Sequence, residues 1–172
     1  MKVAIMQPYF VPYIGYYQLI RFVDLFVVYD NIEYTKKGWF ARNRILKNGE
    51  AELIGLTIAK GPDNAHVVDR YLADTFHSKD KIKLKNKIQE QYRKAPFFNE
   101  TMPVINDILA CDANNLFEFI FNSLKITTGH LGITTPMVRS SEIAIDHSLR
   151  SENKVLAICE ALGAKQYVNP IG

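Results

Sequence analysis

The chain has 172 residues, of which 48% are apolar and 23% are charged, and its formal net charge is +3. This length and composition suit one globular domain that needs no disulfide or metal to fold, and no run of about 18 apolar residues could span a membrane. The mild positive charge does not indicate nucleic acid as a partner, but it is compatible with a phosphorylated small molecule.

The N-terminal third predicts a βαβ unit. Residues 3–6 form an unbroken apolar run, which is typical of a strand buried on both faces. Prolines and aromatic residues predict a loop at 9–12, and apolar residues near helical spacing predict a helix at 13–22. A second apolar run at 25–29 predicts a strand parallel to the first, because the connection between them is helical.

Turn chemistry in the middle of the chain predicts an antiparallel hairpin. Asn48-Gly49 supplies the positive φ angles of a tight turn between strand-like segments 40–46 and 51–58. Further strands are predicted at 66–71, 137–143 and 166–168, and helices at 78–94 (with Ser78 as its cap), 100–111, 115–130 and 153–162. The sequence therefore predicts an α/β fold: an N-terminal βαβ unit in a mostly parallel sheet, an antiparallel hairpin, and a helical C-terminal half.

Domain organisation and location follow from the same patterns. We expect a single domain over residues 1–172, and, because the chain stops directly after the strand at 166–168, a missing C-terminal segment. No signal peptide is evident, and Cys111 and Cys159 have no CxxC partner, which favours free thiols and a cytoplasmic location. No metal site is predicted, and the cofactor and oligomeric state are left open.

The first candidate site is the turn after the first strand. Ligands of open α/β sheets bind beyond the carboxyl ends of strands, where helix N-termini favour anions. Gln7 and Tyr13 lie in this turn, and Gly15 would let a ligand or a neighbouring strand approach the backbone closely. The alternative is that the tyrosines of this turn simply pack between helix and sheet. No glycine-rich dinucleotide or P-loop motif is present.

The second candidate is the polar and aromatic run at 30–39, which follows the second strand at the same edge of the sheet. Asp30 could bind a ribose hydroxyl, orient an amine or act as a general base, or it could be only a turn carboxylate. In the hairpin strand that follows, Arg42 and Arg44 share one face and suit a diphosphate, unless they are ordinary surface charges. Ser140 follows a short strand and is either a site residue or an N-cap.

Three blocks of this sequence resemble the WbqC-like protein family: MQPYFVPYIGY at 6–16, DLFVVYD at 24–30 and WFARNRI at 39–45. SSE at 140–142 and LGAKQYVNPIG at 162–172 also resemble it. The matching positions are Gln7, Tyr13, Gly15, Asp30, Trp39, Arg42, Asn43, Arg44 and Asn169, and the YTKKGW run at 34–39 fits as well. The family is common among genes for bacterial surface polysaccharides, including O-antigen, so the resemblance implies a role in making or modifying glycan sugars. Its members usually continue beyond the NPIG run, in line with a missing segment.

These observations lead to a first hypothesis, an enzyme that transfers a small acyl or aminoacyl group to the amine of a nucleotide-linked amino sugar. In it, Asp30 accepts a proton, and Asn43 and Gln7 position the reacting carbonyl or its oxyanion. The predicted substrate-binding residues are Tyr13, Gly15, Tyr34, Lys36, Trp39, Arg42, Arg44, Ser140 and Asn169. The alternatives are a nucleotidyltransferase-like nucleotide-binding protein, although the paired histidines of such enzymes are lacking, and a non-enzymatic scaffold in glycan assembly.

Overall fold

The structure is a computed structural model that describes residues 1–170. The chain begins with strand β1 (Lys2–Met6), helix α1 (Ile14–Phe22) and strand β2 (Leu25–Val28). β1 and β2 are parallel neighbours, with Ala4 opposite Phe26. The predicted βαβ unit is thus confirmed.

The main sheet has four parallel strands. β5 (Met137–Arg139) pairs with β2, and β6 (Gln166–Tyr167) pairs with β1, which gives the strand order β5-β2-β1-β6. The chain therefore adds strands on one side of β1 and then crosses to its other side. The topological switch point therefore lies between β1 and β6, and open α/β sheets bind ligands in the crevice beyond the carboxyl ends of the strands at such a point.

Both faces of this sheet are covered, and this explains the unbroken apolar runs of its central strands. Ala4 and Phe26 point to the larger core, which includes buried residues of α1 and of helix α4 (Leu116–His130). Val3 and Val27 point to a smaller core on the opposite face, where Ile158 of helix α5 (Ser151–Ala161) packs. Successive residues of a strand alternate between faces, so each strand feeds both cores.

The hairpin is also confirmed. β3 (Arg42–Lys47) and β4 (Glu50–Gly55) form a separate two-stranded antiparallel sheet, with Lys47 opposite Glu50. Asn48 and Gly49 have φ angles of 50° and 86°, as a type I′ turn requires.

Most of the helical prediction is confirmed. The four later helices are α2 (Lys81–Tyr92), α3 (Phe98–Ala110), α4 (Leu116–His130) and α5 (Ser151–Ala161). The Asn115 side chain caps α4 by accepting the backbone N–H of Glu118 at 3.1 Å. Within residues 1–170, no helix has both the length and the apolar character needed to cross a membrane.

Three local predictions are wrong. The expected strand at 66–71 is a 3₁₀ turn (Val67–Asp69), because the backbone there bonds to separate loops rather than to one partner strand. The expected strand at 137–143 stops at Arg139, where a 3₁₀ turn (Ser140–Glu142) begins. Ser78 lies inside a π-helical turn (Phe76–Asp80) that leads into α2, and its hydroxyl bonds back to the Thr75 carbonyl instead of capping the helix. Ile171 and Gly172 of the NPIG run lie outside the described residues.

Candidate functional site

A cleft of about 460 Å³ lies at the switch point of the main sheet. We call it the aromatic cleft, and it is lined by Ile5, Met6, Gln7, Pro8, Tyr9, Tyr13, Tyr16, Tyr29, Trp39, Val155, Tyr167 and Asn169. Four predicted site residues, Gln7, Tyr13, Trp39 and Asn169, therefore come together here from three separate parts of the chain. Its size and its apolar walls with a few polar groups are typical of a small-molecule site.

Aromatic rings form the walls of the cleft. Tyr9 lies 6.3 Å from Tyr16 in an edge-on arrangement and 6.3 Å from Trp39 in a tilted one. The buried Tyr16 hydroxyl donates to the Gln7 carbonyl oxygen at 2.8 Å, which fixes the chain as it leaves β1. Flat aromatic surfaces held in this way can stack on a nucleobase or a sugar ring.

Gly15 has a steric role that differs from the predicted one. A Cβ atom at this position would collide with the ring of Tyr13, whereas the prediction was that a ligand or a strand would approach the Gly15 backbone. The absent side chain therefore leaves room for Tyr13 to lie along the first turn of α1. Tyr13 itself is 56% exposed.

The side chains of Arg42 and Arg44 both contact the ring of Trp39, as expected for two residues on the same face of a strand. Their guanidinium carbons are 5.0 and 4.9 Å from the Trp39 ring centroid, within the range of cation–π attraction. Arg42 also donates from Nε to the Gly38 carbonyl at 2.9 Å and from Nη2 to the Lys37 carbonyl. Arg44 is the more exposed of the two and the better placed to meet an anion beside the cleft.

Asn43 holds the loop that precedes α1. Its Nδ2 donates to the carbonyl oxygens of Phe10 and Val11, while its Oδ1 accepts the Arg44 backbone N–H at 2.8 Å. Val11 has a φ of 42°, a left-handed conformation that β-branched residues rarely adopt. The structure therefore places the Asn43 amide as a clamp on this loop, outside the lining of the aromatic cleft.

Asp30 and Ser140 are also brought together, but away from the cleft. The Asp30 side chain is fully buried, and its carboxylate accepts the Ser140 hydroxyl at 2.7 Å, the Ser141 N–H at 2.9 Å and the Ser141 hydroxyl at 2.5 Å. Asp30 follows β2 and the two serines follow β5, so this cluster ties the ends of two neighbouring strands. The enclosed Asp30 carboxylate is not part of the lining of the aromatic cleft.

Lys154 belongs to the same cluster and was missed by the sequence reasoning. It is only 5% exposed, its Nζ donates to the Asn31 carbonyl at 3.2 Å, and it lies 5.1 Å from the Tyr29 ring centroid. Burial lowers the pKa of Lys154, and the nearby Asp30 carboxylate opposes that lowering. The available signal was its position four residues before Ile158, on the face of α5 that packs against the sheet.

The remaining predicted residues, Tyr34 and Lys36, lie in a different depression beside the hairpin. Arg70 and Lys60 share it, and sequence reasoning singled out neither. Within the described part of the chain, no three His, Cys, Asp or Glu side chains are grouped so that they could hold a metal ion.

Because Tyr16 is buried, the stability of the protein depends on pH in the alkaline range. Burial raises the pKa of Tyr16 far above its ordinary value of 10.0, so its contribution is fully present below pH 10 and is lost as pH rises further. We expect the free energy of unfolding to fall above pH 10, and Tyr16→Phe to flatten that fall by up to about 1.4 kcal/mol per pH unit. Urea unfolding between pH 8 and about 11.5 measures this, with Tyr71→Phe as the exposed control; an unchanged slope in Tyr16→Phe would contradict it.

Comparison with known proteins gives two matches. The model of the WbqC-like protein family matches residues 7–172. "Uncharacterized protein Rv1507c" of Mycobacterium tuberculosis (strain ATCC 25618 / H37Rv) is 30% identical over 172 residues, which cover 98% of this chain and 71% of that protein. No solved structure matches the chain significantly.

Proposed function

The chain belongs to the WbqC-like protein family, and we propose that it is a transferase of bacterial surface-polysaccharide (O-antigen) synthesis. Its proposed substrate is a nucleotide-linked amino sugar, whose amine receives a small acyl or aminoacyl group. The association of the family with surface-polysaccharide genes suggests the pathway. The observation that carries the proposal is the aromatic cleft at the switch point of a parallel sheet.

The walls of the cleft suit the two ring systems of a nucleotide-linked sugar. Tyr13 and Trp39 offer flat faces for stacking, and such contacts are worth about 1–3 kcal/mol per base. Gln7 and Asn169 add amide groups that can hydrogen-bond sugar hydroxyls or an acyl carbonyl. This combination of stacking surfaces and few polar groups favours a small polar ring over a long apolar ligand.

A diphosphate fits beside Trp39. Arg44 extends over the Trp39 ring and is exposed, so a diphosphate that leaves the cleft at this point meets a guanidinium group. Arg42 supports the same edge, although two of its donors already bind backbone carbonyls. In this proposal Arg44 is the main diphosphate ligand.

The transfer step forms a bond between the sugar amine nitrogen and the donor carbonyl carbon, breaks the bond from that carbon to the donor's leaving group, and passes the amine proton to the departing group or to solvent. We assign positioning of the carbonyl to Gln7 and Asn169, because both line the cleft. Asp30 has no place as the direct general base in this proposal, since its carboxylate is enclosed by Ser140 and Ser141. Unpaired Cys111 and Cys159 support a reducing compartment, and we propose the cytoplasm.

The strand order favours a second candidate function, nucleotidyl transfer. Doubly wound sheets that reverse direction beside their first strand are common nucleotide-binding folds. The cleft, however, is lined by none of the histidines of the chain, His66, His77, His130 and His147. We therefore rank nucleotidyl transfer below acyl transfer.

The ligand-binding test compares two tyrosines whose side chains are almost equally exposed. Tyr13 lines the cleft and is 56% exposed, whereas Tyr71 is 54% exposed and lies outside it. We expect UDP- or TDP-linked amino sugars to raise the melting temperature, and Tyr13→Ala to weaken that binding about tenfold or more through lost stacking. Tyr71→Ala should bind like wild type. Equal losses in both variants would remove the cleft as the site.

Mass spectrometry of the products decides between the candidate reactions. The purified protein is incubated with each amino sugar and with acetyl, formyl or aminoacyl donors. An acylated sugar supports acyl transfer. In a separate incubation with a sugar 1-phosphate and a nucleoside triphosphate, a nucleotide-linked sugar formed with release of pyrophosphate supports nucleotidyl transfer. Neither binding nor turnover with any pair would favour a non-enzymatic scaffold.

A further inference from the structure

A second concave surface lies beside the hairpin, apart from the aromatic cleft. It consists of three adjoining hollows of about 280, 370 and 500 Å³ that share Tyr34 and Lys36. We call it the basic depression, because its charged lining residues are Lys36, Lys37, Arg42, Lys60 and Arg70 against Glu33 and Asp63. None of the residues that line the aromatic cleft lines this surface.

Arg70 at its base is an almost fully buried cation without a carboxylate partner. The residue is 4% exposed, and no Asp or Glu oxygen of residues 1–170 lies within 4.0 Å of its guanidinium nitrogens. Nη1 and Nη2 donate to the Pro62 and Ala59 carbonyls, each at 3.1 Å, and the buried Nε has no hydrogen-bond partner among the residues that the structure describes. Buried charges are normally paired, since removal from water is costly.

The chain is built closely around this guanidinium group. A Cβ atom at residue 61 would lie 2.7 Å from Arg70 Nη1, so glycine at this position lets the loop wrap around the charge. On its other side, the guanidinium carbon lies 5.0 Å from the Tyr34 ring centroid. Backbone carbonyls and an aromatic face hold the charge in place. The pKa of the Asp63 carboxyl is lowered mainly by Lys36 and in smaller part by Arg70, so Asp63 offsets part of the Arg70 charge.

The acidic group at the rim is only loosely held. Asp63 pairs with Lys36 at 2.9 Å, but both side chains are largely exposed, and exposed pairs of this kind contribute little. A doubly charged oxyanion would compete well for Lys36 and would also neutralise the charge of Arg70. Lys60 is exposed at the same rim.

We propose that the basic depression is a phosphate-binding site for a phosphorylated small molecule. Its ligands are the exposed Lys36 and Lys60, and the buried charge of Arg70 attracts the anion from beneath. Asp63 competes with the anion for Lys36. The proposal does not depend on the acyl transfer described above.

The probe is inorganic pyrophosphate, titrated against the full chain and followed by ³¹P NMR line broadening and by melting temperature. The double variant Lys36→Gln with Lys60→Gln should weaken binding about fivefold or more. The matched control, Lys79→Gln with Lys94→Gln, removes the same charge at two exposed lysines outside the depression and should bind like wild type. Arg70 is left intact, because its loss would release the loop carbonyls as well.

Asp63→Asn should change the affinity for pyrophosphate in the opposite direction to the Lys36 and Lys60 substitutions. It removes the competing carboxylate from Lys36, so pyrophosphate should bind more tightly than to wild type. No binding by wild type, equal weakening in the control variant, or weaker binding by Asp63→Asn would each overturn the proposal.

Competition with a UDP-linked amino sugar shows whether the phosphate that binds the depression belongs to the sugar nucleotide or to a second ligand. If the sugar nucleotide displaces pyrophosphate, its own diphosphate reaches the depression past Arg42 and Trp39. If both bind together, the depression serves a second phosphorylated ligand. Both results retain the phosphate site, and neither depends on whether acyl transfer is observed.

Discussion

Asp30→Ala is expected to lower the free energy of unfolding by about 3–5 kcal/mol, the range for breaking a buried charged network by removing one member. Ser140 and Ser141 would together lose the acceptor of three hydrogen bonds. Lys154 would keep its buried amine but lose the carboxylate that favours its charged form. Because these partners lie directly after β5 and on α5, the loss should loosen one side of the main sheet.

Urea unfolding measures this effect. Asp30→Asn keeps the shape of the side chain but not its charge and should give an intermediate loss. Asp74→Ala removes an exposed carboxylate and should change stability by no more than about 0.5 kcal/mol. If Asp30→Ala does not fold, Ser141→Ala, which removes only one of the three hydrogen bonds, still tests the cluster with an expected loss of about 1–2 kcal/mol. A loss of less than about 1 kcal/mol in both Asp30→Asn and Ser141→Ala would show that the cluster is not a stabilising network.

Asn43→Ala is expected to cost about 2 kcal/mol and to weaken ligand binding in the aromatic cleft. The substitution releases the carbonyls of Phe10 and Val11 and removes the contact between Asn43 Oδ1 and the Tyr9 hydroxyl at 3.4 Å. Val11 would then relax from its left-handed conformation and move Tyr9, which lines the cleft. Stability and binding should therefore fall together.

A second substitution separates the effect of the Asn43 hydrogen bonds from the effect of the strained backbone at Val11. Glycine at residue 11 accepts the positive φ without a steric penalty, so with Asn43 intact up to about 1 kcal/mol of relieved strain should offset part of the packing lost with the half-buried Val11 side chain. In the Asn43→Ala background, where Val11 is already free to relax, Val11→Gly should relieve no strain and should not restore binding, because the loop remains unclamped. Asn99→Ala, at an exposed position on α3, is the control for the loss of an amide side chain. Wild-type affinity of Asn43→Ala for the amino-sugar ligand would contradict the clamp.

The sequence predicted those parts of the fold that depend on neighbouring residues. The apolar runs of β1 and β2 and the Asn48-Gly49 turn each act within a few residues, and each is confirmed. The segment at 66–71 was predicted wrongly because its β-branched residues bond to loops that are distant along the chain. The expectation of a single domain with a further C-terminal segment stays a prediction.

The location of the candidate site was predictable from the sequence, but which of its residues lie together was not. The carboxyl ends of β1 and β2 lie at one edge of the sheet, which placed Gln7 and Tyr13 near Trp39 as expected. Asp30 lies at the same edge, yet its side chain turns towards Ser140, because hydroxyl and N–H donors after β5 satisfy it there. Local patterns do not show which loops meet, and Arg70 and Lys154 were missed for the same reason. The roles of the predicted site residues stay predictions.

Trp39 has a consequence for spectroscopy. It is the only tryptophan of the chain, it lines the aromatic cleft, and two guanidinium groups lie within about 5 Å of its ring centroid. Indole fluorescence responds to stacking and to nearby charge, so the intrinsic emission of the unlabelled protein reports on this one location. A ring stacked in the cleft should change the intensity directly, whereas an anion that draws Arg42 away should shift the emission maximum. One optical titration could therefore follow both surfaces at once.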